Sequence, residues 1–245
     1  MLNSLNFDFY KIAKSRNLRL FFNFAVILCF LNPVINYVVQ KSGRSVLYNL
    51  WFDNVPQLLV AVFSVLFVSM DFASGFVANV YRKSDKTAYI LSKIIYIFLF
   101  TVAVYIEIFL IDVIFDKIFS EGKFVGAVYT DGLSVWETTR MFICKFSGAF
   151  VFGCVVALFT IAVKSPIVAL IALMVYMFVG DPVLNLLNSV VGNGFSIQNY
   201  TVFGGMNRIL PFSTVEEIER FVVILVVYFV VSVVGNLLLI RRKNY

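Results

Sequence analysis

LFFNFAVILCFLNPVINYVV, residues 20–39, and FVVILVVYFVVSVVGNLLLI, residues 221–240, carry no formal charge over twenty residues each. At a rise of 1.5 Å per residue, a helix of that length covers about 30 Å, the thickness of a bilayer's hydrocarbon core. Comparable stretches lie between them at about 55–77, 91–115, 141–163 and 166–190, and the last span extends to about 219–240. The sequence therefore predicts an all-α integral membrane protein of six transmembrane helices. Asn32-Pro33 and Asp181-Pro182 fall inside the first and fifth spans, where proline removes a backbone hydrogen bond. The first span is expected to break there, with Asn32 and Asn36 satisfying freed groups or neighbouring helices; a cavity lining and a packing kink are both compatible with this.

Composition agrees. The chain is 61% hydrophobic and 14% charged, against about 45–50% and about 25% in soluble domains, and its mean hydropathy is +0.92. The loops left between spans are too short for a separate soluble domain, so residues 1–245 form one membrane domain: an interfacial segment at 1–19, six spans within 20–240 and a tail at 241–245. There is no histidine, which removes the commonest metal ligand and acid–base group and argues against a metal site or a catalytic one. Cys29, Cys144 and Cys154 all fall within expected spans, where free cysteine behaves as a small apolar residue. The first residues lack a signal peptide's short apolar region and cleavage site, so the first span is expected to be retained.

Charge sets the orientation. With both termini cytoplasmic, the inner side holds Lys11, Lys14, Arg16, Arg19, Arg82, Lys83, Lys86, Lys93, Lys164, Arg241, Arg242 and Lys243, twelve of the 20 basic residues, while most acids fall outside. This is the positive-inside pattern of a multi-pass plasma-membrane protein. The net charge of +6 then reads as topology and contact with anionic lipid rather than nucleic-acid binding. Leu2, Leu5, Phe9, Ile12 and Ala13 recur at helical spacing while Asp8, Lys11 and Lys14 take other positions, which predicts a helix lying along the inner membrane surface.

The most specific stretch is DFASGFVANVYRKSDKTAYILSK, residues 71–93. A span ends in Asp71 and Gly75, a short basic segment follows, and the next span opens with Ser92-Lys93. This arrangement resembles the first cytoplasmic loop of ABC-2 type permeases, the membrane subunits of ATP-binding-cassette exporters. In that family an acidic residue, often glutamate, and a glycine end the second span, and a Ser-Lys pair starts the third. The resemblance extends to the six-span type V-like architecture, the N-terminal interfacial helix and the polar outer segment before the last span, here residues 192–211, which the resemblance implies is partly re-entrant. It implies two permease subunits, identical or homologous, and two cytoplasmic ATPases. The physical reading agrees: a short basic segment rigidly joined to two spans suits a lever for an ATPase, with Tyr81, Ala88, Tyr89 and Ile90 as apolar anchors among Arg82, Lys83 and Lys86. No GxxxxGK[S/T] loop occurs, so no cofactor is expected on this chain, and ATP and magnesium belong on the partner.

Ionisable groups in spans are functional candidates because each costs about 2.5–3.5 kcal/mol at the bilayer centre. Glu107, Lys145 and Asp181 fall about 21–28 Å from the cytoplasmic span ends by helical rise. Two readings stand: a buried charge cluster with Lys145 balancing Glu107 or Asp181, or three interfacial charges. The small, apolar chain resembles exporters of amphipathic peptides such as cytolytic peptides and bacteriocins, whose export also protects the producer. Export of drugs or lipid-linked substrates is the alternative within the family. A non-ATP channel or carrier, and a membrane-embedded enzyme, stand as other classes; the latter lacks any recognised catalytic constellation. Phe63, Phe67, Phe98 and Phe100 are expected first to pack, and secondarily to line an apolar conduit.

Overall fold

A computed structural model describes residues 2–40, 55–73, 86–119, 135–191, 200–209 and 213–242. Among them the protein is all-α. The helices are α1 (Leu2–Lys14), α2 (Arg16–Gln40), α3 (Val55–Ala73), α4 (Lys86–Phe119), α5 (Val135–Val163), α6 (Pro166–Val191), α7 (Val202–Arg208) and α8 (Val215–Arg242). Four of these are long and apolar enough to cross a membrane, over Val55–Phe72, Lys86–Ile111, Thr139–Val163 and Val215–Leu239, and α6 adds a shorter apolar stretch, Pro166–Met177. This is a multi-pass membrane protein. Helices α2 and α6 run on without interruption through Asn32-Pro33 and Asp181-Pro182, contrary to the break expected in the first span. A single proline costs one backbone bond, and the rest of the ladder carries the helix past it.

The bundle is organised around α3 and α5. On α3, Leu59, Val60, Phe63 and Phe67 pack in one cluster with α2, α4 and part of α5, whereas Ala61 and Val65 pack in a second with α5, α6, α7 and α8. Spacings of three and four residues place each set on its own face. Small residues let the two central helices approach closely: a Cβ on Gly153 would lie 2.8 Å from Val60 Cγ1 and 3.0 Å from both Ile97 Cγ2 and Ser64 Oγ. The aromatic residues at the α2–α3–α4 contact fill space rather than line it. Phe63 stacks on Phe100 with centroids 4.0 Å apart and on Phe67 at 5.3 Å, and all three are buried while Phe98 is exposed. A conduit through Phe63, Phe67 and Phe100 is therefore ruled out in this conformation.

Local sequence explains the helix ends. Thr214 and Glu217 form a reciprocal capping box at the start of α8, with Thr214 N donating to Glu217 Oε2 at 2.9 Å and Glu217 N to Thr214 Oγ1 at 3.3 Å. Thr201 caps α7 through Gly204 N. Two residues separate α5 from α6: Lys164, at φ 60°, ends the first, and Pro166 opens the second, the position where proline costs least. Within the spans, Ser64, Thr101, Thr160 and Ser232 each donate to a carbonyl of their own helix, which satisfies these four hydroxyl protons without water.

Two substitutions of opposite sign test this packing. Lys164→Gly removes a Cβ from a left-handed backbone and should stabilise the protein by about 1 kcal/mol. Gly153→Ala forces α3 and α5 apart and should cost about 1–3 kcal/mol. Unfolding midpoints in detergent, compared with wild type, report both.

Candidate functional site: a buried ionic cluster

Asp71 sits in the last turn of α3, and Ser92 and Lys93 in the second turn of α4, so the sequence already places them at one end of the bundle. The structure brings them together. Lys93 Nζ lies 2.8 Å from Asp71 Oδ2, and Tyr89 Oη donates to the same oxygen at 2.7 Å. The other Asp71 oxygen accepts from Lys11 of α1, whose ammonium also reaches the Phe67 carbonyl at 3.0 Å. Lys93 spends a second N–H on Asp8 Oδ1 of α1 at 2.5 Å, and Ser92 Oγ donates to Asp8 Oδ2 at 2.8 Å. Tyr96 Oη donates to the Leu5 carbonyl at 2.9 Å, completing the seam between α1 and α4.

Two carboxylates and two ammonium groups thus share one buried site of zero formal charge. Asp71 and Ser92 are fully buried, and Asp8 and Lys93 nearly so. The Phe67 ring lies beneath both ammonium groups, 4.2 Å from Lys93 Nζ and 4.7 Å from Lys11 Nζ, adding cation–π attraction where water is excluded. Burial, reinforced by the positive charge of Lys93, pushes the Lys11 ammonium down to about 8, against the opposing pull of Asp71 and Asp8. Desolvating four charges is expensive, and attraction repays it only when the geometry satisfies most of their hydrogen-bonding capacity. Here every carboxylate oxygen has a donor.

The cluster revises several sequence expectations. Tyr89 and Ile90 are each 4% exposed and face the interior, so they are not surface anchors; the Tyr89 hydroxyl is held by Asp71 of α3, and Ile90 faces α5 and α8. Lys86, half-buried, opens α4. Tyr81, Arg82, Lys83 and Gly75 lie outside the described residues. On helix α1, Asp8, Lys11 and Ile12 face the protein, while Phe9 and Tyr10 are 65% and 59% exposed. Asp8 was the residue sequence reasoning passed over. Its signal was there, because it is the single acid among the first 52 residues and shares a helical face with Lys11.

At the far end of the spans, Lys145 is buried on α5 and Glu107 half-buried on α4. The Asp181 side chain lies outside the described residues. No cluster of metal-ligating side chains occurs among the described residues. The chain matches no known protein family, and no curated protein is similar to it.

Asp8→Asn and Lys93→Met each strip one partner from a buried pair and should each cost about 3–5 kcal/mol of stability. The double variant should recover part of that loss, giving a coupling of at least about 1 kcal/mol in unfolding measurements. Strictly additive losses would show that the two charges act independently.

Proposed function

We propose that this chain is the permease subunit of an ATP-driven exporter of the ABC-2 type, with six spans, both termini cytoplasmic, and an amphipathic peptide as its cargo. The observation that carries the reading is the convergence of Asp71, Ser92 and Lys93, the residues of the family-like motif, into one cluster with the N-terminal helix. Residues 74–85 run from the end of α3 to the start of α4. Asp71 on one side and Tyr89, Ser92 and Lys93 on the other hold those two helix ends in register with α1. A basic segment mounted on such a rigid base suits a lever that an ATPase pushes.

Burial of Tyr89 and Ile90 changes the roles assigned along this lever. Direct contact with the ATPase falls to Tyr81, Arg82, Lys83 and Lys86, while Tyr89 transmits through its bond to Asp71. The six-span count is supported by the lengths of α2 and α6, whose 25 and 26 residues extend about 37–39 Å. ATP and magnesium bind on the partner ATPase, and a second permease completes the pathway. The exposed apolar faces of α6 and α8 suit lipid, a second permease and an apolar cargo alike, so cargo identity rests on the family resemblance.

The test is affinity purification from native membranes. An ATPase with a phosphate-binding loop should co-purify, and Arg82→Glu with Lys83→Glu should lower substrate-stimulated ATP hydrolysis about tenfold while leaving the thermal midpoint unchanged. A cysteine placed at Lys86 should resist membrane-impermeant labelling from outside, and one at Asp131 or Asn199 should react. Purification without any ATPase, together with ATP-independent flux in proteoliposomes, would replace the exporter with a channel or carrier.

A further inference from the structure

Beside the ionic cluster, α4, α5 and α8 form a small cavity of about 10 Å³ lined by Lys93, Cys154, Ser232 and Asn236 among apolar neighbours. That is the room one water molecule requires. Its polar lining is unusual for hydrocarbon depth. Asn236 is 4% exposed, and its Oδ1 has no hydrogen-bond partner among the described residues. Ser232 is fully buried and gives its proton to the Phe229 carbonyl at 2.8 Å, so its oxygen retains accepting capacity alone. Lys93 has three N–H groups, of which Asp8 and Asp71 take two.

The donors and acceptors left over match a single molecule. We propose that the cavity is a water-binding site, in which one buried water accepts from the Lys93 ammonium and donates to Asn236 Oδ1 and Ser232 Oγ. Three hydrogen bonds is the usual complement of a buried water. The bridge ties α8 to the cluster that already joins α1, α3 and α4, so the last helix is held by the same charges as the first. Asn236 is then a positioning residue acting on Lys93 through water. This inference does not depend on the exporter reading, since it concerns the resting structure alone.

The sign of one substitution separates a wet cavity from a dry one. Leucine keeps asparagine's branched four-atom skeleton without its polar atoms, so in a dry cavity Asn236→Leu removes an unsatisfied amide and raises the thermal midpoint. In a wet cavity it cuts the bridge, and the midpoint of the detergent-purified full chain should fall by about 3 °C. Ser232→Ala should give a smaller fall, and the double variant should fall no further than Asn236→Leu alone, because both cut one bridge. Radiolytic hydroxyl footprinting of the wild-type chain gives an answer that requires no variant to fold. Cys154 and Cys29 are 2% and 1% exposed, but Cys154 lines the cavity. Water in the cavity should make Cys154 oxidise several-fold faster than Cys29. Equal oxidation rates, or a midpoint raised by Asn236→Leu, overturn the proposal.

Discussion

The carboxylate of Asp71 is fully buried in the last turn of α3, where the helix dipole also disfavours negative charge. Alone it would be untenable. Lys11 and Lys93 neutralise it from two other helices, and Lys93 in turn requires Asp8 to balance its own burial. Each charge is tolerable because the other three are in place, so α1, α3 and α4 cannot separate without exposing an uncompensated ion to a poorly hydrated environment. The geometry of one end of the bundle follows from that constraint.

It also explains why α1 turns Asp8 and Lys11, rather than Phe9, toward the protein. Rotating the helix to bury Phe9 would leave Asp8 and Lys11 unable to reach Lys93 and Asp71. In a bilayer the apolar side chain loses little by facing outward, since lipid tails accept it as readily as protein does. The polar contacts therefore choose the rotation of the helix, and Phe9 and Tyr10 are left on the outer face, where Lys14 lies 5.5 Å from the Tyr10 ring.

This difference sets what was legible in the sequence. Helical spans follow from runs of apolar residues, a local property, and those at 55–72, 86–111, 139–163 and 215–239 fall close to where the sequence placed them. Asp71, Ser92 and Lys93 were legible as a pattern because two of them are adjacent and the third ends the preceding span. Their partners were not, because the pairing of Asp8 with Lys93 joins residues 85 positions apart, and no periodicity encodes it. Tyr89 and Ile90 misled for the same reason: beside a basic segment they look like exposed anchors, yet Tyr89 is bonded to Asp71 of α3 and Ile90 faces α5 and α8. The Phe63–Phe67–Phe100 stack was legible as packing and not as a pathway.

Two devices of opposite chemistry hold the helices to one arrangement. At one end it is ionic; midway, it is the absence of a side chain at Gly153, which lets Val60 and Ile97 approach α5 at van der Waals distance. Without a strong hydrophobic preference for protein over lipid, such close approaches and buried polar contacts carry the specificity of the fold. They also link mechanically. Val60 lies on the same face of α3 as Phe67, beneath the two lysines, and Ile97 lies four residues beyond Lys93 on α4. A displacement of the helix ends that carry Asp71 and Lys93 therefore reaches α5 within about three turns of helix, through contacts too tight to absorb it.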